Sequence, residues 1–346
     1  MKHPCRPGRG RAPRIALAAT VLGLAACAPD DAAEAASPDR VGSTGSAQTA
    51  APAVTEETAV ADRGLTASVD TIPGTVWTVA VWAILAAKVR WAAEQRLDTL
   101  SWGDAMAALG RTFVGTTYIP GTLEAPGDEH IVVNLRELDC VTFIENVWAL
   151  LRFHREQGVT ALEDPASARD AYETHLRTIR YRDGRLEGYP SRLHYFSDWL
   201  WNHEDRGHLR LVTGELGGVV DPEPIDFMST HPDAYRQLAN PDFLAAVRAR
   251  EAELSARGPR VFLPQESVGE AESGVRDGDI IAATSTVEGL DIAHTGIALW
   301  RDGRLHLLHA PLVGRSVEIS EVPLADRIQG IRGQDGIIVA RLEEAG

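Results

Sequence analysis

The chain has 346 residues, with 49 Asp and Glu against 34 Lys and Arg, for a formal net charge of −15 at pH 7. That balance excludes nucleic acid as a partner, because a nucleic-acid binder needs a basic face. It also excludes electrostatic docking on anionic lipid.

Lys2, Arg6, Arg9, Arg11 and Arg14, with no acid among them, precede an apolar run from Ile15 to Ala26. A basic region followed by a short apolar one reads as a secretory leader, and the run is too short to span a bilayer. It ends in Leu24-Ala25-Ala26-Cys27, which resembles a bacterial lipobox; the alternative is an ordinary leader cut after the Ala pair. The resemblance implies removal of residues 1–26 and diacylation of Cys27, which would anchor the chain to a membrane without spanning it. Removing five basic residues leaves the remainder more acidic still. Ala28 after Cys27 is not a retention signal of the Asp type, so the expected location is the periplasmic side of an outer membrane, where the cell has one.

Residues 27–72 form the lipidated Cys and a linker rich in Ala, Thr, Ser, Pro and acids, without an aromatic residue. Such a stretch buries too little apolar surface to offset its ordering entropy and reads as a disordered tether. Residues 73–346 carry regular aromatics and read as one globular domain, long enough for a real core.

Val76 to Leu109 has a helical pattern. Its apolar start, Val76 to Ala87, is too short for a membrane span and is followed at once by Lys88 and Arg90, so a buried core helix is expected. A second helix is expected to start at Ser101, with Asp104 supporting its N-terminus, and to end near 110–115. The segment Ile131 to Leu135 reads as a short strand, and Cys140 to Phe153 as a helix. Residues 165–256 look helical and loop-rich. The period then changes: Asp279 to Ala283, His294 to Trp300, Arg304 to His309 and Ile337 to Leu342 read as strands. Helices first and an antiparallel sheet afterwards make an α+β domain. There is no internal repeat.

With Cys5 removed and Cys27 acylated, Cys140 is expected to be the one unpaired thiol of the folded part. It sits where a loop becomes a helix, and free N–H groups and the helix dipole at a helix N-terminus favour a thiolate. Position alone leaves open a buried, inert Cys; a matching base decides between the two. Trp300-Arg301-Asp302-Gly303-Arg304 contains Asp-Gly, a strong two-residue hairpin signal. With Asp302-Gly303 as the turn, Arg301 pairs with Arg304, Gly296 faces His309, and His294 faces Pro311. His294 and His309 then share one face as diagonal neighbours about 7–8 Å apart. His306 lies on the other face, opposite Leu299. Gly296 is expected to leave room for the two rings. A nucleophile, a base and a group orienting the base is the logic of a triad, and Cys140, His294 and His309 supply it. Two satisfied core or surface histidines are the bland alternative.

The segments Gly115-Thr-Thr-Tyr118, Asp139-Cys140, Gly278-Asp279-Ile280, His294-Thr-Gly-Ile297 and His309-Ala-Pro311 resemble the NlpC-type papain-like cell-wall peptidases. More narrowly, Gly121-Thr-Leu-Glu124, Leu138 to Glu145, Ser191 to Trp199, and Asp226-Phe-Met-Ser229 with His231 resemble the N-acetylmuramoyl-L-alanine amidase-like family. The resemblance spans about residues 76–342. Val141-Thr142-Phe143 stands where general NlpC peptidases carry Ser-Gly-Phe, and extra residues separate Tyr118 from Cys140; both departures favour the amidase-like branch. The resemblance implies a papain-like, NlpC-type fold. It implies a peptidoglycan or muropeptide substrate, cut at the bond between the lactyl group of N-acetylmuramic acid and L-alanine. It also implies Tyr118 as an oxyanion donor beside the Cys140 N–H, and no cofactor.

Arg192 and Tyr195 are candidates to hold substrate carboxylates or sugar, since a guanidinium fork suits a carboxylate; a structural ion pair is the equal alternative. Ser229 and His231 are candidates to line the pocket, although Ser-Thr-His-Pro also reads as a helix cap. Glu145 is expected on the polar side of the Cys140 helix in a structural hydrogen bond. No His-Glu-x-x-His occurs, so no metal is expected. The chain is expected to act as a monomer. The rivals are an endopeptidase cutting between D-glutamate and the diamino acid, a thioester acyltransferase, and a non-catalytic peptidoglycan-binding lipoprotein.

Overall fold

The structure is a computed structural model that describes residues 71–72, 76–312, 314 and 316–343. The leader, the lipobox at Cys27 and nearly all of the linker lie outside the described residues.

The helices are α1 (Val79–Glu94), α2 (Trp102–Arg111), α3 (Cys140–Gln157), α4 (Pro165–Arg180), α5 (Phe196–Asp205), α6 (Phe227–Thr230), α7 (Pro241–Ala256), α8 (Val268–Ala271) and α9 (Leu324–Gly330). The strands are β1 (Thr117–Tyr118), β2 (Glu137–Leu138), β3 (Leu209–Leu211), β4 (Val219–Asp221), β5 (Arg260–Pro264), β6 (Ile280–Ser285), β7 (Ile292–Arg301), β8 (Arg304–His309), β9 (Glu318–Ile319) and β10 (Gln334–Leu342). Helices therefore dominate the first half and an antiparallel sheet the second, an α+β domain as the sequence pattern predicts.

The sheet runs β4-β5-β10-β6-β7-β8-β9, with β3 also pairing to β10. Its two faces bury alternate residues of each strand. Ile280, Ala282, Ile297, Leu299 and Leu308 join the large core that holds α1 to α4. Ile281, Ala283, Ala298, Leu305 and Leu307 pack on Val268, Leu324 and Ile328 of α8 and α9. No helix among the described residues is long and apolar enough to cross a membrane. The apolar start of the domain is instead α1, which buries Val81, Leu85, Ala86, Val89 and Ala92. Helix α2 starts as its sequence predicts, with Ser101 Oγ accepting from Asp104 N.

Ile131 to Leu135 is not a strand. Ile131, Val133 and Leu135 are buried and alternate with less buried neighbours, so the period is right, but no strand pairs with them. The carbonyl of Val132 is taken instead by Arg180 Nη1 at 2.8 Å. Glu145, expected on a polar helix side, is buried, and its Oε2 accepts from Arg180 Nε at 2.7 Å. Burial raises the Glu145 carboxyl and Arg180 draws it back down. A buried pair of this kind costs much more to break than to replace, because a lone survivor is left charged and unsolvated. Arg180→Met is expected to lower unfolding stability by about 3–5 kcal/mol, and Arg180→Met with Glu145→Leu to recover most of it. Urea unfolding of the three chains checks this; equal stability of the single and double variants would contradict it.

Candidate active site

Helix α3 begins at Cys140 because Asp139 caps it. Asp139 Oδ1 accepts from Thr142 N at 2.8 Å, and Thr142 Oγ1 accepts from Asp139 N at 2.8 Å. This reciprocal pair satisfies two backbone donors at the helix end, and Cys140 becomes the first helical residue, fully buried. Burial raises the Asp139 carboxyl, opposed by its hydrogen bonds to Thr142.

Cys140 is disulfide-bonded, and the other two cysteines of the chain, Cys5 and Cys27, lie outside the described residues. The expectation of an unpaired thiol is of a chain that has lost Cys5 and carries an acyl group on Cys27, and both of those positions lie outside the described residues. The sulfur can act as a nucleophile only after that bond is reduced, since the thiolate is the reactive form.

The hairpin of β7 and β8 has the register that its Asp-Gly turn predicts: Arg301 pairs with Arg304, Leu299 with His306, and Ile297 with Leu308. Asp302 (φ 53°) and Gly303 (φ 78°) both sit in the left-handed region that a two-residue turn of this type requires. Continued one step, the same register places Gly296 opposite His309. The two histidines do meet: His294 Nε2 and His309 Nδ1 are 2.7 Å apart, with the rings nearly perpendicular. Both are buried.

Gly296 does not serve the rings as expected. A Cβ there would lie 2.7 Å from Leu307 Cδ1 and 2.9 Å from the Leu308 carbonyl oxygen. The missing side chain makes room for Leu307, so it is the close approach of the two strands that needs glycine.

A second device sits beside His294. Ala283 of β6 pairs with His294, but Thr284 pairs with Ile292, leaving Ala293 as an extra residue on β7. A bulge of this kind bends its strand and re-aims the neighbouring side chain. Thr295 then ties the strand to the helix, since its Oγ1 donates to the carbonyl of Cys140 at 2.9 Å. The start of α3 and the histidine-bearing strand are thus joined within one residue of His294.

Tyr118 is held by a different ladder. Strands β1 and β2 run parallel with Tyr118 opposite Leu138, two residues before Cys140, and Tyr118 is buried.

The remaining candidates are not presented to a ligand in this way. Arg192 is buried; Nη2 donates to Glu124 Oε1 at 2.5 Å, Nη1 donates to the Leu123 carbonyl at 3.2 Å, and Glu129 lies 3.6 Å from Nε. The Tyr195 hydroxyl donates to Glu251 Oε1 at 2.7 Å and accepts from Met228 N at 2.7 Å. Both hold loops to the body of the domain, the structural role that stood as the equal alternative to ligand binding. Ser229 N donates to Glu251 Oε1, and His231 is exposed and stacked on Phe227. Beside the start of α3, a narrow cavity is lined by Leu123, Glu124, Val141, Arg192, His194 and Phe196. A more open depression around Trp102, Arg210, Asp277 and Trp300 shares no lining residue with this site. Among the described residues, no three His, Cys, Asp or Glu side chains come together as metal ligands would.

Sequence reasoning missed Thr295 and the bulge at Ala293. Thr295 stands inside the quoted His-Thr-Gly-Ile segment, but nothing local links a threonine to a carbonyl far away in the chain.

Burial depresses His294 to about 3 and holds His309 well below the usual imidazole range, with His294 and the Arg327 cation adding to the effect on His309. An imidazole in this setting is neutral and can accept a proton. The unfolded chain binds a proton at His294 below about pH 6.5, and the folded chain does so only near 3. Stability is therefore lost as pH falls through this window. Asp139 and Glu145 oppose the trend, since their raised carboxyls take up protons in the folded state. A comparison of variants isolates the histidine. Between pH 7 and pH 5, the wild type is expected to lose about 2 kcal/mol more stability than His294→Asn, as read from urea unfolding at the two pH values. Gly296→Ala is expected to cost about 1–3 kcal/mol by forcing β7 from β8, and to lower activity by parting the two histidines. An unchanged melting temperature would contradict the close approach.

A family model described as N-acetylmuramoyl-L-alanine amidase-like matches residues 108–336. A structure from Bacteroides uniformis, titled an N-acetylmuramoyl-L-alanine amidase, is 36% identical and superposes with a TM-score of 0.64 over 71% of this chain and 100% of that one. A structure from Bacteroides fragilis titled a putative xylanase is 35% identical, with a TM-score of 0.62 over 67% of this chain and 99% of that one. A Legionella pneumophila protein, 20% identical with a TM-score of 0.53 over 76% of this chain and 96% of that one, shares the fold. No curated protein matches. The capped helix start, the paired histidines and these matches agree, and the chain belongs to the N-acetylmuramoyl-L-alanine amidase-like family.

Proposed function

We propose that the chain is a cysteine hydrolase cutting the amide bond between the lactyl group of N-acetylmuramic acid and L-alanine in peptidoglycan or its fragments. The observation that carries this is the 2.7 Å contact of His294 with His309, on a strand tied by Thr295 to the carbonyl of Cys140.

The reduced Cys140 thiol gives its proton to His294, and the thiolate attacks the amide carbonyl carbon. The carbonyl oxygen becomes an oxyanion. The Cys140 N–H at the start of α3 and the Tyr118 hydroxyl are its donors, each worth roughly a hundredfold to a thousandfold in rate. The protonated His294 passes its proton to the leaving nitrogen, the C–N bond breaks, and a thioester to Cys140 remains with the free amine of the stem peptide. His294 then takes a proton from water, hydroxide adds to the thioester, and the lactyl carboxylate leaves as the thiol is restored. His309 holds the His294 ring through this cycle. The cavity beside Val141 and Glu124 is the place for the stem peptide, with Arg192 in its wall.

The same reading puts the enzyme on a diacylglyceryl anchor at Cys27, in the cell envelope on the periplasmic side, acting as a monomer. Acylation consumes the Cys27 sulfur, so an anchored chain would retain Cys140 as a thiol. Metabolic labelling with a fatty acid, lost in Cys27→Ala, tests the anchor.

The activity is tested by mass spectrometry of muropeptides incubated with the chain in dithiothreitol, beside Cys140→Ala. Intact stem peptides and free muramyl sugar are the expected products, absent in the variant and absent without reductant. Sugar released with L-alanyl-D-glutamate still attached would replace this reading with an endopeptidase. No cleavage by the reduced, folded chain would leave a peptidoglycan-binding lipoprotein.

A further inference from the structure

The row of imidazoles does not end at His309. Its Nδ1 faces His294, and its Nε2 is buried with no hydrogen-bond partner among the described residues. A buried polar nitrogen left in that state is costly. The carboxylate of Glu318 lies just outside hydrogen-bonding range of it, Oε1 to Nε2 3.9 Å. Glu318 stands directly opposite His309 in the ladder of β8 and β9, and directly opposed residues share a face. Gly314 leaves the carboxylate its place, since a Cβ there would be 2.8 Å from Glu318 Oε2. The Glu318 side chain is 42% exposed, so it needs no rearrangement of the core to close the gap.

The two arrangements of protons along this row are not equivalent. With its proton on Nδ1, His309 would donate to His294 Nε2; the neutral His294 would then carry its own proton on Nδ1 and could accept nothing. With its proton on Nε2, His309 accepts from His294 Nε2–H, and the Nδ1 of His294 is then the nitrogen with a lone pair to take the proton of a nucleophile. We propose that Glu318 is a positioning residue that selects the second arrangement, its carboxylate accepting the His309 Nε2–H and so presenting His294 Nδ1 as the base. No covalent step is involved, and the proton stays on His309. When His294 takes up its second proton, the same carboxylate offsets the positive charge. The inference rests on the reading of Cys140 and His294 as nucleophile and base. The other charged groups that face this row are Arg327 of α9, whose cation acts on both histidines and on Glu318, and Glu321, which acts on Glu318. Arg327 opposes protonation of the imidazoles, so Glu318 is the group that favours it.

The test uses the full chain, reduced and labelled with 15N-histidine. Long-range proton–nitrogen spectra read which ring nitrogen carries the proton, with His309 assigned by its loss in His309→Asn. The expected result is an Nε2–H tautomer at His309 in the wild type that is lost in Glu318→Ala. On muropeptides, Glu318→Ala is expected to lower kcat about tenfold, the lower end of what an orienting partner of a functional histidine contributes. KM should stay within about twofold by the same reasoning, since substrate is not touched. The alkaline limb of the pH profile should move to lower pH. Glu318→Gln is expected to restore most of kcat, because its amide oxygen accepts the same proton, and to leave the limb displaced, because the charge is gone. An unchanged tautomer in Glu318→Ala would overturn the proposal, as would a loss shared by kcat, KM and melting temperature, which would mark a structural role. Should the wild type cleave no muropeptide, the amidase reading fails, while the spectra still decide what Glu318 does to His309.

Discussion

One hydrogen bond, from the hydroxyl of Thr295 to the carbonyl of Cys140, holds together parts that the chain places far apart. A helix start fixes the backbone donors and the sulfur; a strand start fixes the imidazole. Neither element alone sets their separation. The bond does so because its two ends lie next to, or on, the residues that matter. Hydrogen bonds inside a protein contribute modestly to stability, on the order of 1 kcal/mol. Their directionality is what matters here, because it sets the start of the helix against the strand that carries His294.

Beneath that junction lies a layer of buried charge. Arg180 pairs with Glu145, and Arg192 with Glu124 and Glu129, while Tyr181 donates to Glu129 Oε1 at 2.8 Å. These groups fasten residues 119–136, a long connection with no helix or strand of its own. A connection of that length inside a compact domain needs such partners for its backbone groups, and long ordered loops are commonly functional. This one ends in Leu138, opposite Tyr118, and hands over directly to Cys140. The ion pairs do for the loop what a ladder would do for a strand.

What the sequence made legible was local. The Asp302-Gly303 turn and the two-residue period placed every pair of the hairpin, because a tight turn leaves no freedom in register. Asp139 before Cys140 marked the helix start. The residues that failed depend on distant partners. Ile131 to Leu135 alternates as a strand does, but whether an alternating segment pairs depends on what arrives beside it, and here Arg180 arrived. Strands β3, β4 and β5 are short, and the edges of β10 and of one another define them more than their own residues do. Arg192 and Tyr195 have the chemistry of ligand-binding groups; burial against Glu124 and Glu251 turns the same chemistry inward, and burial cannot be read from a motif. Glu318 lies in a two-residue strand, too short for any period to show.

The turn at Asp302 and Gly303 lies far along the hairpin from the histidines, and its residues touch no site. Yet the two histidines are 15 residues apart along the chain, and the strands between them alternate faces at every step. One residue inserted at the turn would carry His309 to the opposite side of the sheet, and two would slide it past His294. Surface turns ordinarily drift in length among relatives. This one acts as a ruler, and its two residues should be as resistant to change in number as the histidines are to change in kind.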